Sequence, residues 1–159
     1  MKVEIIAVGK MKKSYLKQGI SEFKKKLNKH VKFKITEVSA KRIPNNLSQA
    51  EQNKIKEKEA DSLIAKLDNR AYNLALDPTG KPMTSKGLAK SINNLKLRGY
   101  SKFQFIIGGA LGLHNNLIKA TDYKLSLSTM TFTHQMVRLI MVEQIYRAIK
   151  INKGEPYHI

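Results

Sequence analysis

The sequence predicts an α/β fold in which a mostly parallel sheet carries helices on both faces. Strand-like and helix-like segments alternate along the whole chain, and the connections between them are short. Each strand is therefore followed by a helix that returns the chain to the same edge of the sheet, which is how parallel strands are joined. No Pro/Gly/Ser-rich linker, repeat or low-complexity stretch divides the 159 residues, so residues 1–159 are read as a single domain.

Lys2–Val8 is a β-branched, largely apolar run and reads as the first strand. Ser14–Asn28 follows with Leu16, Ile20, Phe23 and Leu27 at offsets of 4, 3 and 4, the stripe of an amphipathic helix. Val31–Val38 alternates through Val31, Phe33 and Ile35 as a second strand. Ser48 and Glu51 have capping-box spacing and open a polar helix to Leu67, with Ile55, Leu63 and Leu67 on its apolar side. Ala71–Leu76 is a third strand, which the turn sequence Asp77-Pro78-Thr79-Gly80 is expected to stop. Ser85–Arg98 carries Leu88, Ile92 and Leu95 as a helix, closed by Gly99. Lys102–Ile107 is a fourth strand, and a short helix near His114–Ala120 leads to a fifth, Tyr123–Ser128. The last helix runs from about Thr133 to Asn152 and ends at Gly154.

Composition narrows the function. Apolar residues make up 42% and charged residues 26%, a balance that can bury a core and is not that of a disordered chain. Absence of cysteine excludes thiolate catalysis, disulfide scaffolds and Cys-ligated zinc or iron–sulfur centres. Thirty Lys and Arg against twelve Asp and Glu give a net charge of +18, which attracts polyanions, nucleic acid before membrane. The excess is spread along the chain, +10 over residues 1–60 (16 basic, 6 acidic) and +8 over 61–159 (14 basic, 6 acidic). No apolar run approaches the ~18 residues needed to span a bilayer, and the N-terminal apolar stretch is interrupted by Glu4. A cytoplasmic protein is expected, without membrane attachment.

Ligands of parallel sheets bind beyond the carboxyl ends of the strands. Three loops lie there, after Leu76, after Ile107 and after Ser128, and each is a candidate wall of one pocket. Gly108-Gly109-Ala110-Leu111-Gly112 follows a strand and precedes a helix. It lets the backbone approach a ligand or forms a plain tight turn; it is neither a dinucleotide fingerprint nor a phosphate-binding Walker loop. The four histidines, His30, His114, His134 and His158, show no metal-binding spacing, so no metal is expected. His114 and His134 read as helix-start residues. Ten of the sixteen residues in Gln135–Lys150 are apolar or tyrosine and cover most of the helix circumference. Such a helix needs two surfaces to pack on, the sheet and a second subunit, and a homodimer is expected. Glu143 and Arg147 are spaced to pair, whereas Arg138 has no such explanation and is a candidate catalytic or RNA-facing group. The tail Gly154–Ile159 ends in Tyr157 and His158, which could stack on a base and handle a proton or could simply fray. The lysine runs at 24–26 and at 54, 56 and 58 read as solvated helix faces.

Four segments together resemble one family. They are VEIIAVGKMK (3–12), LDPTGKPMTS (76–85), FIIGGALGLH (105–114) and LSLSTMTFTHQMVRLIMVEQIYRAIKINKGEPYH (125–158). In order and spacing they are similar to the RlmH family of SPOUT-class ribosomal RNA methyltransferases, over essentially the whole chain. The resemblance implies a SPOUT-type fold with a C-terminal trefoil knot and a homodimer that forms the active sites. It implies S-adenosylmethionine as methyl donor and, as substrate, N3 of a pseudouridine (position 1915) of 23S rRNA on the assembled ribosome. By matching motifs it implies a cofactor pocket of Leu76, Gly108, Leu127, Ser128, Thr129, Met130, Thr131 and Phe132, with Tyr157 and His158 closing over the nucleotide. With Arg138, these two tail residues are the candidate catalytic groups. Thr133 stands where the family often has Pro, and Ile159 where it commonly has a basic residue. The competing reading is a non-enzymatic, basic ribosome- or RNA-binding module; a nicotinamide oxidoreductase is disfavoured by the missing fingerprint.

Overall fold

The computed structural model describes residues 1–157; His158 and Ile159 lie outside the described residues. Ten elements alternate: β1 (Lys2–Val8), α1 (Ser14–Leu27), β2 (Lys32–Val38), α2 (Gln49–Ile64), β3 (Tyr72–Pro82), α3 (Ser85–Leu97), β4 (Lys102–Ile107), α4 (Asn115–Lys119), β5 (Tyr123–Ser126) and α5 (His134–Asn152). The strands form one five-stranded sheet in the order β2-β1-β4-β3-β5, and every neighbouring pair is parallel.

Alternation along each strand sorts the core into two layers. Val3, Ile5 and Ala7 of β1 join Phe103, Phe105 and Ile107 of β4 against α1, α3 and α5. Ile6, Val8, Ala75 and Ile106 point the other way, to Ala60 and Leu63 of α2 and Leu117 of α4. Helices therefore cover both faces, as the alternation predicts. Near the amino ends of the strands the second face is polar. Buried Glu4 accepts from Thr36 Oγ1 at 2.7 Å and from Gln104 Nε2 at 2.9 Å, and pairs with Lys34 Nζ at 2.9 Å. Burial alone would raise the Glu4 carboxyl, but these hydrogen bonds and the Lys34 charge hold it below the usual range.

Several boundaries differ from the sequence expectation, each for a local reason. The capping box at Ser48 and Glu51 is made in both directions, yet α2 stops at Ile64 and Leu67 falls in the turn beyond. The sequence 77–80 interrupts β3 without ending it. Asp77 Oδ1 accepts from the Thr79 backbone N–H at 2.7 Å and its hydroxyl at 2.6 Å, making a tight side-chain turn. Pairing with β5 then resumes, so Leu125 faces both Leu76 and Lys81. This fold-back needs glycine: a Cβ on Gly80 would lie 2.7 Å from the Lys124 carbonyl oxygen. The fifth strand ends at Ser126, two residues early. There Ser126 Oγ donates to the Ser128 carbonyl and Ser128 Oγ accepts from the Met130 N–H, both at 3.0 Å, which turns the chain out of the sheet.

Helix α5 is partly as expected. One chain already surrounds most of it: Met141, Val142, Ile145, Ala148 and Ile149 are buried against the sheet, with α1 and α3 on either flank. Of its large apolar residues Met136, Val137, Leu139, Ile140 and Ile151 stay half-buried. The apolar circumference therefore follows mainly from flanking helices in the same chain.

Candidate active site

The carboxyl ends of β3, β4 and β5 surround a cleft of about 600 Å³, within the range of small-molecule sites. Its walls come from the three loops singled out by sequence: Leu76–Pro78, Ile107–Leu113 and Leu127–Thr133, with His134 and Val137 of α5 closing one side. Leu76, Gly108, Leu127, Ser128, Met130, Thr131 and Phe132 all line it; Thr129 does not. Leu127, Ser128 and Phe132 also line a second cleft of about 320 Å³ between α3 and α5, so the segment 127–132 is the wall between the two. The walls are mainly apolar and suit a planar base, while Asp77, Ser128 and Thr131 supply polar edges.

Gly108 is needed for a reason other than room for a ligand. A Cβ there would come within 2.7 Å of Leu113 Cδ2 and 3.1 Å of the Gly112 carbonyl. Its hydrogen faces the inside of its own loop, so a larger residue would push the cleft wall out of shape. Beneath the next residue sits a group that sequence reasoning missed. Glu59 of α2 is buried, accepts from the Lys41 N–H at 3.1 Å, and has Oε2 2.8 Å from where a Cβ on Gly109 would stand. Burial raises its carboxyl, against the Lys41 hydrogen bond.

His134 was also missed as a cleft residue. It lines the cleft, and burial, with the positive charges of Arg138 and Lys12, lowers its imidazole below the ordinary value. A neutral ring facing the cleft can accept a proton. The only sequence signal was its position at the start of the last helix, which N-cap Thr133 sets by accepting from the Met136 N–H.

Of the candidate catalytic groups, Arg138 and Tyr157 do not line this cleft. Arg138 is 0% exposed; its Nη1 donates to Glu37 Oε1 at 3.0 Å and Nη2 to the Val8 carbonyl at 2.5 Å, while Nε has no partner among the described residues. It ties α5 to the ends of β1 and β2. Tyr157 is held and not frayed: it donates to Glu143 Oε1 at 3.0 Å and packs edge-on against Tyr146 at 4.8 Å. The Arg147 guanidinium lies 4.8 Å from its ring centre, and Arg147 pairs with Glu143 at 2.6 Å as spaced. Residues 143–147 stand six to ten positions beyond Val137, the last α5 residue of the cleft, roughly 9–15 Å up the helix, and Tyr157 does not line the cleft of its own chain. His158 lies outside the described residues. Among the described residues no group of His, Asp and Glu could hold a metal ion, and no helix is long and apolar enough to cross a membrane.

A family model described as "Predicted SPOUT methyltransferase" matches residues 1–158. The chain belongs to the SPOUT methyltransferases. Within that family it is 55% identical over 158 residues to ribosomal RNA large subunit methyltransferase H of Halothermothrix orenii and 49% identical to the protein of the same name from Clostridioides difficile, covering 99% of each chain in both cases. This SPOUT methyltransferase also superposes on the crystal structure of tRNA (m1G37) methyltransferase from Aquifex aeolicus, with a TM-score of 0.57 at 15% identity over 100% of this chain and 75% of the other. That likeness shows the fold. The family and its RlmH relatives make the chain an enzyme, and the reading as a non-enzymatic binding module falls away.

Proposed function

We propose that this enzyme transfers a methyl group from S-adenosylmethionine to N3 of a pseudouridine in 23S rRNA, on the assembled ribosome in the cytoplasm, as a homodimer with a C-terminal trefoil knot. The observation that carries the proposal is the single cleft in which the three strand-end loops meet, in a chain whose relatives at 46–55% identity are named ribosomal RNA large subunit methyltransferase H. When bound, S-adenosylmethionine supplies an electrophilic methyl group. Leu76, Leu127 and Val137 present apolar faces for its adenine, and the Gly108 loop allows close backbone approach. Leu127, Ser128, Met130, Thr131 and Phe132 form the remaining wall, and Thr129 lies within the same segment without lining the cleft.

Methyl transfer is an in-line displacement, so orientation supplies much of the rate. The N3 proton must leave. His158 is the proposed acceptor, and Tyr157 the surface on which the target base stacks. Because Tyr157 packs two to three turns of α5 away from its own cleft, the tail serves the cleft of a second copy, which is what a homodimer provides. Arg138 acts as a positioning residue by fixing α5 against Val8 and Glu37.

The test is tritium transfer from labelled S-adenosylmethionine to ribosomes and to free 23S rRNA, followed by nucleoside analysis. Label in N3-methylpseudouridine, with ribosomes the better substrate, is the expected result. Label in another nucleoside, or none with either substrate, would overturn the proposal.

A further inference from the structure

The carboxyl edge of the sheet continues past the cleft, across the ends of β1 and β2. Two loops top it there, residues 9–13 after β1 and 39–47 after β2. Both are basic: Lys10, Lys12, Lys13, Lys41 and Arg42 are all exposed. Among the described residues neither nearby carboxylate makes an ion pair with these side chains, although the Lys41 charge acts on Glu59. Glu37 is occupied by Arg138 at 3.0 Å and by the Met11 N–H at 2.9 Å, and Glu59 is buried beneath the second loop. At the amino edge of the sheet Lys34 and Lys102 pair with Glu4 and Asp68, and Lys2 and Lys32 are exposed but lie away from the cleft.

Both loops are held in place and both abut the cleft. The Lys12 N–H donates to Gln135 Oε1 at 3.0 Å, next to His134 of the cleft wall. Lys12 is near enough for its charge to act on that imidazole. The Lys41 N–H is fixed by Glu59, whose other oxygen lies against Gly109 of the opposite wall. Between the loops, the Gly9 N–H donates to the Val38 carbonyl at 2.7 Å. Ordered backbone beneath the lysines lowers the entropy lost when their ammonium groups settle on a ligand.

We propose that loops 9–13 and 39–42 form a phosphate-binding strip that holds the backbone of the substrate RNA and leads the target nucleotide into the cleft. The inference rests on the rRNA reading above and assigns the residues that recognise that RNA. Exposed lysines contact phosphates as point charges without reading bases, so the strip sets the register of the strand while the cleft selects the nucleotide. Each phosphate neutralised releases counterions and lowers the slope of log affinity against log salt by about 0.7 to 0.9.

The experiment compares two variants with equal charge removed. One carries Lys10→Gln, Lys12→Gln, Lys41→Gln and Arg42→Gln. The other carries Lys2→Gln, Lys25→Gln, Lys29→Gln and Lys32→Gln, all exposed positions away from the carboxyl edge. Binding to ribosomes is measured between about 50 and 200 mM salt, alongside S-adenosylmethionine affinity and methyl transfer. The strip variant should flatten the salt slope by about three and lose roughly tenfold or more in low-salt affinity, with methyl-donor affinity kept. The second variant should stay close to the parent. A strip variant that keeps the parental slope, or two variants that fall alike, would overturn the strip and leave the rRNA reading standing. A parent protein that transfers no methyl group to rRNA would overturn that reading, and the strip with it. If the fourfold strip variant melts early, Lys41→Gln with Arg42→Gln alone must still flatten the slope more than Lys29→Gln with Lys32→Gln.

Discussion

His134 sits between two positive charges and an apolar wall, and all three act in one direction. Burial disfavours its protonated form first, and Arg138 and Lys12 add to that. Its imidazole should titrate below the ordinary 6.5 when followed by NMR, and Lys12→Gln should move it upward. An unmoved resonance in that variant would separate Lys12 from the cleft. Glu59 shows the opposite sign. Burial raises its carboxyl above 4.5, so the native state binds the proton more tightly than the unfolded chain. Its contribution to stability is full below 4.5 and is lost as pH rises through the raised native value. Glu59→Gln keeps an acceptor for the Lys41 N–H and removes the charge. The variant should therefore gain stability relative to the parent as pH rises, read by denaturant unfolding on both sides of that range. An equal difference at both pH values would contradict the raised carboxyl. Glu4 carries a third kind of burial, a fully partnered carboxylate. Glu4→Ala removes the acceptor of Thr36 and one acceptor of Gln104, which keeps the Lys66 carbonyl, and should cost roughly 2 kcal/mol, measured as a fall in unfolding free energy.

At the scale of elements, α5 separates folding from association. Ile145 is 0% exposed within one chain, so Ile145→Asp should unfold the protein, at a cost above about 3 kcal/mol. Leu139 and Ile140 are half-buried on the same helix. Leu139→Glu with Ile140→Glu should leave the circular dichroism intact and halve the mass seen by light scattering. A parent that is already monomeric at micromolar concentration would refute the homodimer. The same helix shows what sequence reading can and cannot reach. Period, and the capping box at Ser48, located the helices, because those signals are local and the structure uses them. The three strand-end loops located the cleft, because parallel topology sends every such loop to one edge. The fold-back of β3 through Gly80 was not legible, since a turn that resumes its strand has the same local chemistry as one that ends it. Neither was the burial of Arg138, whose partners Val8 and Glu37 lie more than 100 positions away. Glu59 reads as one more charge on a polar helix until the glycine loop is seen above it.

At the scale of the whole molecule, a charge of +18 has to be carried around one five-stranded sheet and its helices. Carboxylates pair Lys34 and Lys102 at the amino edge, where Lys2 and Lys32 stay exposed, while at the carboxyl edge Lys10, Lys12, Lys13, Lys41 and Arg42 lie exposed beside the cleft. This places attraction for a polyanion and a pocket for a small molecule on one side of the sheet, which is the arrangement a nucleic-acid methyltransferase requires. The claim on which everything else depends is that the cleft at the ends of β3, β4 and β5 holds the methyl donor. Calorimetry with S-adenosylmethionine on the parent and on Leu127→Arg tests it most directly, because Leu127 lines the cleft from a loop and a long cation there would occupy it. The account predicts one saturable site per cleft in the parent, unaffected by EDTA, and its loss in a Leu127→Arg protein whose melting temperature is close to the parent's. Equal affinity in the two proteins, or no binding to the parent, would contradict it.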